Sequence, residues 1–166
     1  MPQRCTTRAF TSVLALIASF GTASAAETDI TIGMQLEPPH LDPTSAAAGA
    51  IDNVVYSNIF EGLTRFMGDG SVVPGLAKSW DISDDGLRYT FHLRGDVQFH
   101  DGTAMDAADV KFSLDRARAE DSTNAQKALF AGIADVAVID PLTVALTLEA
   151  PNGNLLFNLA WGDAVI

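Results

Sequence analysis

The 166-residue chain carries 21 acidic side chains against 10 basic ones, and 48% of its residues are hydrophobic. Such an acidic surface repels phosphate backbones and anionic membranes, which argues against nucleic acid as a partner. The length suits one domain, and with one cysteine in the sequence the fold has to be held by burial, without an internal disulfide.

The first stretch reads as an address. Arg4 and Arg8 stand ahead of an apolar run from Ala9 to Phe20, with no acid among them, and small residues follow, including Ala23-Ser24-Ala25. That order predicts a secretory signal peptide over residues 1–26, cleaved before Ala26 or before Glu27. The run is shorter than the roughly 20 apolar residues a membrane-crossing helix needs. Cys5 precedes the apolar run, so it is not placed to become a lipid anchor, and it leaves with the leader. Residues 27–166 then hold 8 basic and 21 acidic side chains, a balance of −13, and no thiol for catalysis or metal binding.

Asp29 to Leu36 alternates, with Ile30, Ile32, Met34 and Leu36 on one side, and predicts a half-buried strand. The segment Glu37-Pro38-Pro39-His40-Leu41-Asp42-Pro43 follows, and its prolines force an extended loop. A helix capped by Thr44 or Ser45 is expected to run to about Leu63, burying Ile51, Val55, Ile59 and Leu63. Gly68-Asp69-Gly70 closes this unit with a turn. Trp80 and Ile82 alternate before Asp84-Asp85-Gly86, and Tyr89, Phe91 and Leu93 alternate after it, which predicts a hairpin. Val97 and Phe99 form a short strand piece ending at Asp101-Gly102. Asp106 opens a helix with Asp109 as capping-box partner, and Val110, Leu114 and Ala117 form its apolar stripe. Val136 and Val138 pair with Val144, Leu146 and Leu148 across Asp140-Pro141 in a second hairpin. A last helix begins near Asn152 to Asn154 and carries Leu155, Leu156 and Leu159. The expected fold class is mixed α+β, without internal repeats.

Three segments resemble the family 5 extracellular solute-binding proteins, which include dipeptide, oligopeptide and nickel binders. The first is Glu37 to Pro43. The second is Ile59-Phe60-Glu61-Gly62-Leu63 with Val73-Pro74-Gly75-Leu76-Ala77 and Ser79-Trp80. The third runs through Leu87 to Arg94, Val97 to Gly102 and Ala108-Asp109-Val110-Lys111-Phe112-Ser113. The resemblance covers nearly all of residues 27–166. It implies part of the first lobe of a two-lobed class II periplasmic-binding fold, with the family's extra subdomain. It also implies a periplasmic component of an ABC importer, monomeric, that passes peptides or similar solutes to inner-membrane permease subunits. Neither cofactor nor metal nor catalytic residue is expected. Family members are longer, so residues 27–166 by themselves are expected to be unstable, a reading that a sharp cooperative melt would contradict.

His100-Asp101 has the look of a reactive pair, but neighbours on a strand point to opposite faces, and Asp-Gly is more simply a turn. The Glu37 to Pro43 loop is the better site. The resemblance places it at the cleft, and Glu37, His40 and Asp42 are its candidate ligand-binding residues, with Asp42 equally readable as a helix-entry turn. His40 lacks a second metal ligand at suitable spacing. Trp161 is the fourth candidate, with core packing as its alternative. A G-x-S-x-G elbow, a zinc motif and a phosphate loop are all missing from the sequence, which disfavours a periplasmic hydrolase. A secreted binding or chaperone-like module without a transporter is the remaining alternative. The ligand stays open among dipeptide, oligopeptide, opine, sugar, metal chelate and glutathione-like solutes.

Overall fold

Period-2 alternation on both sides of tight turns builds the centre of the structure. A computed structural model describes residues 29–46 and 48–166; the expected signal peptide, with Cys5, lies outside the described residues. Residues to Gly33 and residues from Met34 onward form two units, and every element below belongs to the second. In chain order these are α1 (Gly49–Val55), β1 (Thr64–Phe66), β2 (Val72–Pro74), β3 (Ala77–Ile82), β4 (Arg88–Leu93), α2 (Ala107–Arg118), β5 (Ile133–Asp140), β6 (Thr143–Leu148) and α3 (Leu155–Asn158). The class is α+β, as expected.

Both predicted hairpins form. Strands β3 to β6 make one antiparallel sheet in the order β3-β4-β6-β5. Trp80 stands opposite Phe91, and Phe91 opposite Val144. Val136 pairs with Leu146 and Val138 with Val144, the register read from the alternation. Tyr89, Phe91 and Leu93 point inward and join Val144, Leu146 and Leu148 in one buried cluster. Asp85 turns the first hairpin by accepting from the Leu87 amide at 3.0 Å. Asp140 does the same for the second, accepting from the Leu142 amide at 2.8 Å.

Helix α2 closes the core with Val110, Leu114 and Ala117 buried. Its capping box is present: the Asp106 carboxylate accepts from the Ala108 amide, and Asp109 accepts from the Asp106 amide at 2.8 Å. Helix α2 is tied to β5 at two points along its length. Lys111 Nζ donates to the Val136 carbonyl at 2.8 Å, and the Arg118 guanidinium donates to the Ile133 carbonyl at 3.0 Å. These bonds fix where the loop after α2 begins, and that loop matters for the site.

Three expectations are corrected. No ladder forms over 29–36: residues 29–33 carry no regular structure, and Met34 leads into a bend at residues 35–36. Ile30 and Ile32 are 83% and 74% exposed, since alternation makes a strand only where another strand satisfies its backbone. The helix expected from Thr44 or Ser45 to Leu63 is limited to Gly49–Val55, with Ala48 at its N-cap. Tyr56 is extended and Ser57 adopts φ 59°, so the backbone leaves the helix there. Leu63 is still buried, but from a loop, while Ile59 is 40% exposed. Val97 to Phe99 contributes one isolated bridge, Gln98 to Ala104, in place of a strand.

Candidate functional site

A cavity of about 690 Å³ lies beside helix α2. Its wall is assembled from the His40–Thr44 stretch, the second half of α2, the loop from Ala119 to Asn124, Phe60, and Asp163 to Ile166. Four stretches far apart in sequence, residues 40–44, Phe60, residues 113–124 and residues 163–166, therefore meet around one space.

The entry loop is locked by its own side chains. Asp42 Oδ1 accepts from the Thr44 amide at 2.9 Å and from Thr44 Oγ1 at 2.7 Å. The Thr44 hydroxyl is the main reason the Asp42 carboxyl is held below the usual carboxylate range. The Asp42 amide in turn donates to His40 Nδ1 at 3.3 Å. Asp42 thus makes the turn that ends the loop, and it lines the cavity while doing so.

The opposite wall is a short 3₁₀ turn, Gly162–Ala164. It hangs from the loop before β1: Gly62 bridges to Val165, and the Ile166 amide donates to the Glu61 carbonyl at 3.0 Å. Asn124 Nδ2 donates to the Asp163 carbonyl at 2.9 Å, joining the turn to the loop after α2. The Asp163 side chain is different. The residue is 5% exposed, and its Oδ1 has no hydrogen-bond partner. Burial, and secondarily the nearby Asp52 carboxylate, pushes the Asp163 carboxyl up to about 6. Asp52, on α1, is itself raised by burial and presses against Gly162, where an added Cβ would collide with its carboxylate.

This arrangement gives a pH-dependent stability with a definite sign. The Asp163 carboxyl titrates near 6 when folded against an ordinary 3.8, so stability tied to it is present below 3.8 and lost as pH rises through 6. Asp163→Asn is expected to gain stability relative to the parent as pH goes from 4.5 to 7.5, in urea unfolding followed at both values. A difference independent of pH would contradict this.

Of the four predicted binding residues, His40 and Asp42 line the cavity, whereas Glu37 is exposed and outside its wall. Trp161 belongs to an aromatic cluster, its ring 6.0 Å from that of Phe66 and 5.9 Å from Phe157 in an edge-on contact. Asp101 forms a turn, accepting from the Thr103 amide at 2.9 Å and its hydroxyl at 2.7 Å. Sequence reading missed Asp163, Asn124 and Asp52. The available signal was a lone acid inside the apolar stretch Trp161 to Ile166.

Comparison with known proteins decides the lineage. The family described as bacterial extracellular solute-binding proteins, family 5 Middle, matches residues 71–161. The chain belongs to this family. Within it, the chain is 40% identical over 126 residues to the glutathione-binding protein GsiB of Pectobacterium atrosepticum, spanning 76% of this chain and 24% of that protein. It is 37% identical to GsiB of Salmonella paratyphi A, over 81% of this chain and 26% of the relative. The agropinic acid complex of the binding protein AgaA from A. tumefacien R10 superposes with a TM-score of 0.74 at 35% identity, covering 78% of this chain and 26% of that one. NikZ from Campylobacter jejuni, in complex with Ni(L-His), gives 0.69 at 34% identity, over 79% and 26%. This family 5 chain therefore spans about a quarter of the length of the relatives it matches. Among the described residues no helix is long and apolar enough to cross a membrane.

Proposed function

We propose that this family 5 chain is the leading part of a periplasmic substrate-binding component of an ABC importer, which captures peptides or similar small solutes and delivers them to a membrane permease. Residues 1–26 act as the cleaved signal peptide and residues 27–166 as part of the solute-binding domain. The observation that carries this reading is the cavity bordered by the locked His40–Thr44 loop in a chain of this family. Cavities of this size suit small solutes, and a loop held by Asp42 and Thr44 is shaped before ligand arrives.

The mechanism is physical. Two lobes hinge, the solute favours the closed state because it touches both, and the permease recognises that state. No bond in the solute is broken. His40 and Asp42 act from the cavity wall, Glu37 from the exposed start of the same loop, and Trp161 from the aromatic cluster two residues before Asp163. GsiB relatives are named for glutathione, so glutathione and short peptides are the first solutes to try. Calorimetric titration of the complete protein with glutathione, di- and tripeptides is expected to give one-to-one binding of at least one of them. His40→Ala is expected to weaken that binding. Saturable binding of none, across the panel, would overturn the proposal.

A further inference from the structure

We propose that Asp52 and Asp163 share one proton between their carboxyl groups, and that this hydrogen bond is a latch holding the Gly162–Ala164 turn, and with it one wall of the cavity, against α1. Two elements supply the geometry. Asp52, on α1, sets its carboxyl group against the backbone of the turn: a Cβ built on Gly162 would stand 2.8 Å from the Asp52 carboxyl carbon. Asp163 is the next residue, 5% exposed, with an Oδ1 that has no hydrogen-bond partner. Among the described residues, the four ion pairs engage neither acid. Two bare carboxylates in that setting repel each other and leave a buried acceptor unsatisfied, which costs more than an ordinary hydrogen bond returns. One proton removes both penalties, because a carboxyl donating to a carboxylate makes a short, charge-assisted bond.

The surroundings leave these two groups to settle the charge between themselves. The loop after α2 meets the turn through Asn124, which does not titrate and gives its Nδ2 to the Asp163 carbonyl. At the end of α1, burial raises the Tyr56 hydroxyl, so it stays neutral here, and Arg65 and Glu61 act on it with opposite signs. Across the cavity, Arg116 acts on Asp42, and His40 and Asp121 are the other titratable groups of the wall. Burial first and the Asp52 carboxylate second raise Asp163 to about 6, and burial raises Asp52 as well, so the pair titrates as a unit. A carboxyl raised by folding stabilises the fold while it keeps its proton. The latch is therefore shut below about 6 and released as pH rises through that value. The bonds that still hold the turn, from Asn124 and from the Ile166 amide to Glu61, involve neutral groups and do not change with pH.

The latch needs no solute, so its test and that of the solute-binding proposal fail separately. The test is hydrogen–deuterium exchange read by mass spectrometry on the complete protein at pH 5.0 and 7.5, normalised at each value to an unstructured peptide. The reporters are the amides of Ala164 and Ile166, which donate to the Trp161 and Glu61 carbonyls at 3.0 Å each. In the wild type their protection is expected to fall about tenfold between the two values. Asp52→Asn and Asp163→Asn each put a permanent amide donor where the shared proton was, so each is expected to keep the turn protected at both values. His40→Gln is expected to behave as the wild type. Peptides from β4 show that a variant has kept its fold, and Asp52→Ser, still a donor, takes the place of Asp52→Asn should β4 protection be lost. Absence of pH dependence in the wild type would overturn the latch. So would a pH dependence that survives either asparagine substitution, since the proton then belongs to one acid alone, or one that vanishes with His40→Gln.

Discussion

Replacing Phe91 with alanine is expected to cost about 3–5 kcal/mol of folding stability. The ring sits in β4, with β3 on one side and β6 on the other, opposite Trp80 and Val144. It is 0% exposed, and its centroid lies 6.3 Å from that of Trp80 and 6.4 Å from that of Tyr89. The buried residues of α2, Val110 and Leu114, belong to the same cluster. Removing the ring therefore loses transfer free energy and leaves a hole that three strands and a helix cannot close without shifting. Phe112, on the outer face of α2 and 69% exposed, serves as the control. Its replacement by alanine is expected to change stability by no more than about 0.5 kcal/mol. Urea unfolding of both variants checks the pair, and similar losses from the two would contradict the inward register of β4.

The second large effect belongs to a glycine. Gly62→Ala is expected to destabilise by roughly 1–3 kcal/mol, and to weaken ligand binding as well. A Cβ at Gly62 would stand 2.6 Å from the Leu159 carbonyl oxygen and 3.0 Å from that of Thr64. Both are backbone atoms, so no side-chain rotation relieves the clash. Gly75 approaches from the other side, where its own Cβ would meet the Gly62 oxygen at 2.5 Å. Three chain segments cross here: the loop before β1, the link from β2 to β3, and the stretch after α3. Gly62 is also the bridge partner of Val165, so a displacement is passed to the turn that holds Asp163. Stability and calorimetric affinity should fall together in this variant. A Gly62→Ala protein with unchanged binding would contradict the coupling between this crossing and the cavity.

That crossing shows what was legible in the sequence and what was not. Glu61-Gly62-Leu63 and Pro74-Gly75-Leu76 stood out as family-like segments, yet nothing in their spacing says that the two glycines face each other. The hairpins were legible because alternation and turn chemistry are local: Asp85 and Asp140 each make their turn within a few residues. The capping box of α2 is equally local. The first helix was overextended because Ile51, Val55, Ile59 and Leu63 keep a four-residue spacing after the backbone has left the helix at Tyr56 and Ser57. Leu63 is buried by tertiary packing, which imitates helical periodicity. The strand expected over 29–36 failed for the opposite reason, since pairing is a property of two segments and the pattern reports one. The site was the least legible part. His40 and Asp42 came from the resemblance, while Asp163 acquires its character from burial, from Asn124 and from Asp52, separated by up to 111 positions along the chain.

The most direct measurement is native mass spectrometry of the complete protein as isolated, followed by denaturation and identification of what is released. Reception of a guest by a closing clamp predicts one small molecule per polypeptide, recovered with the mass it had before capture. Recovery of a cleaved or otherwise altered molecule, or a protein that retains and rebinds nothing, would contradict the account.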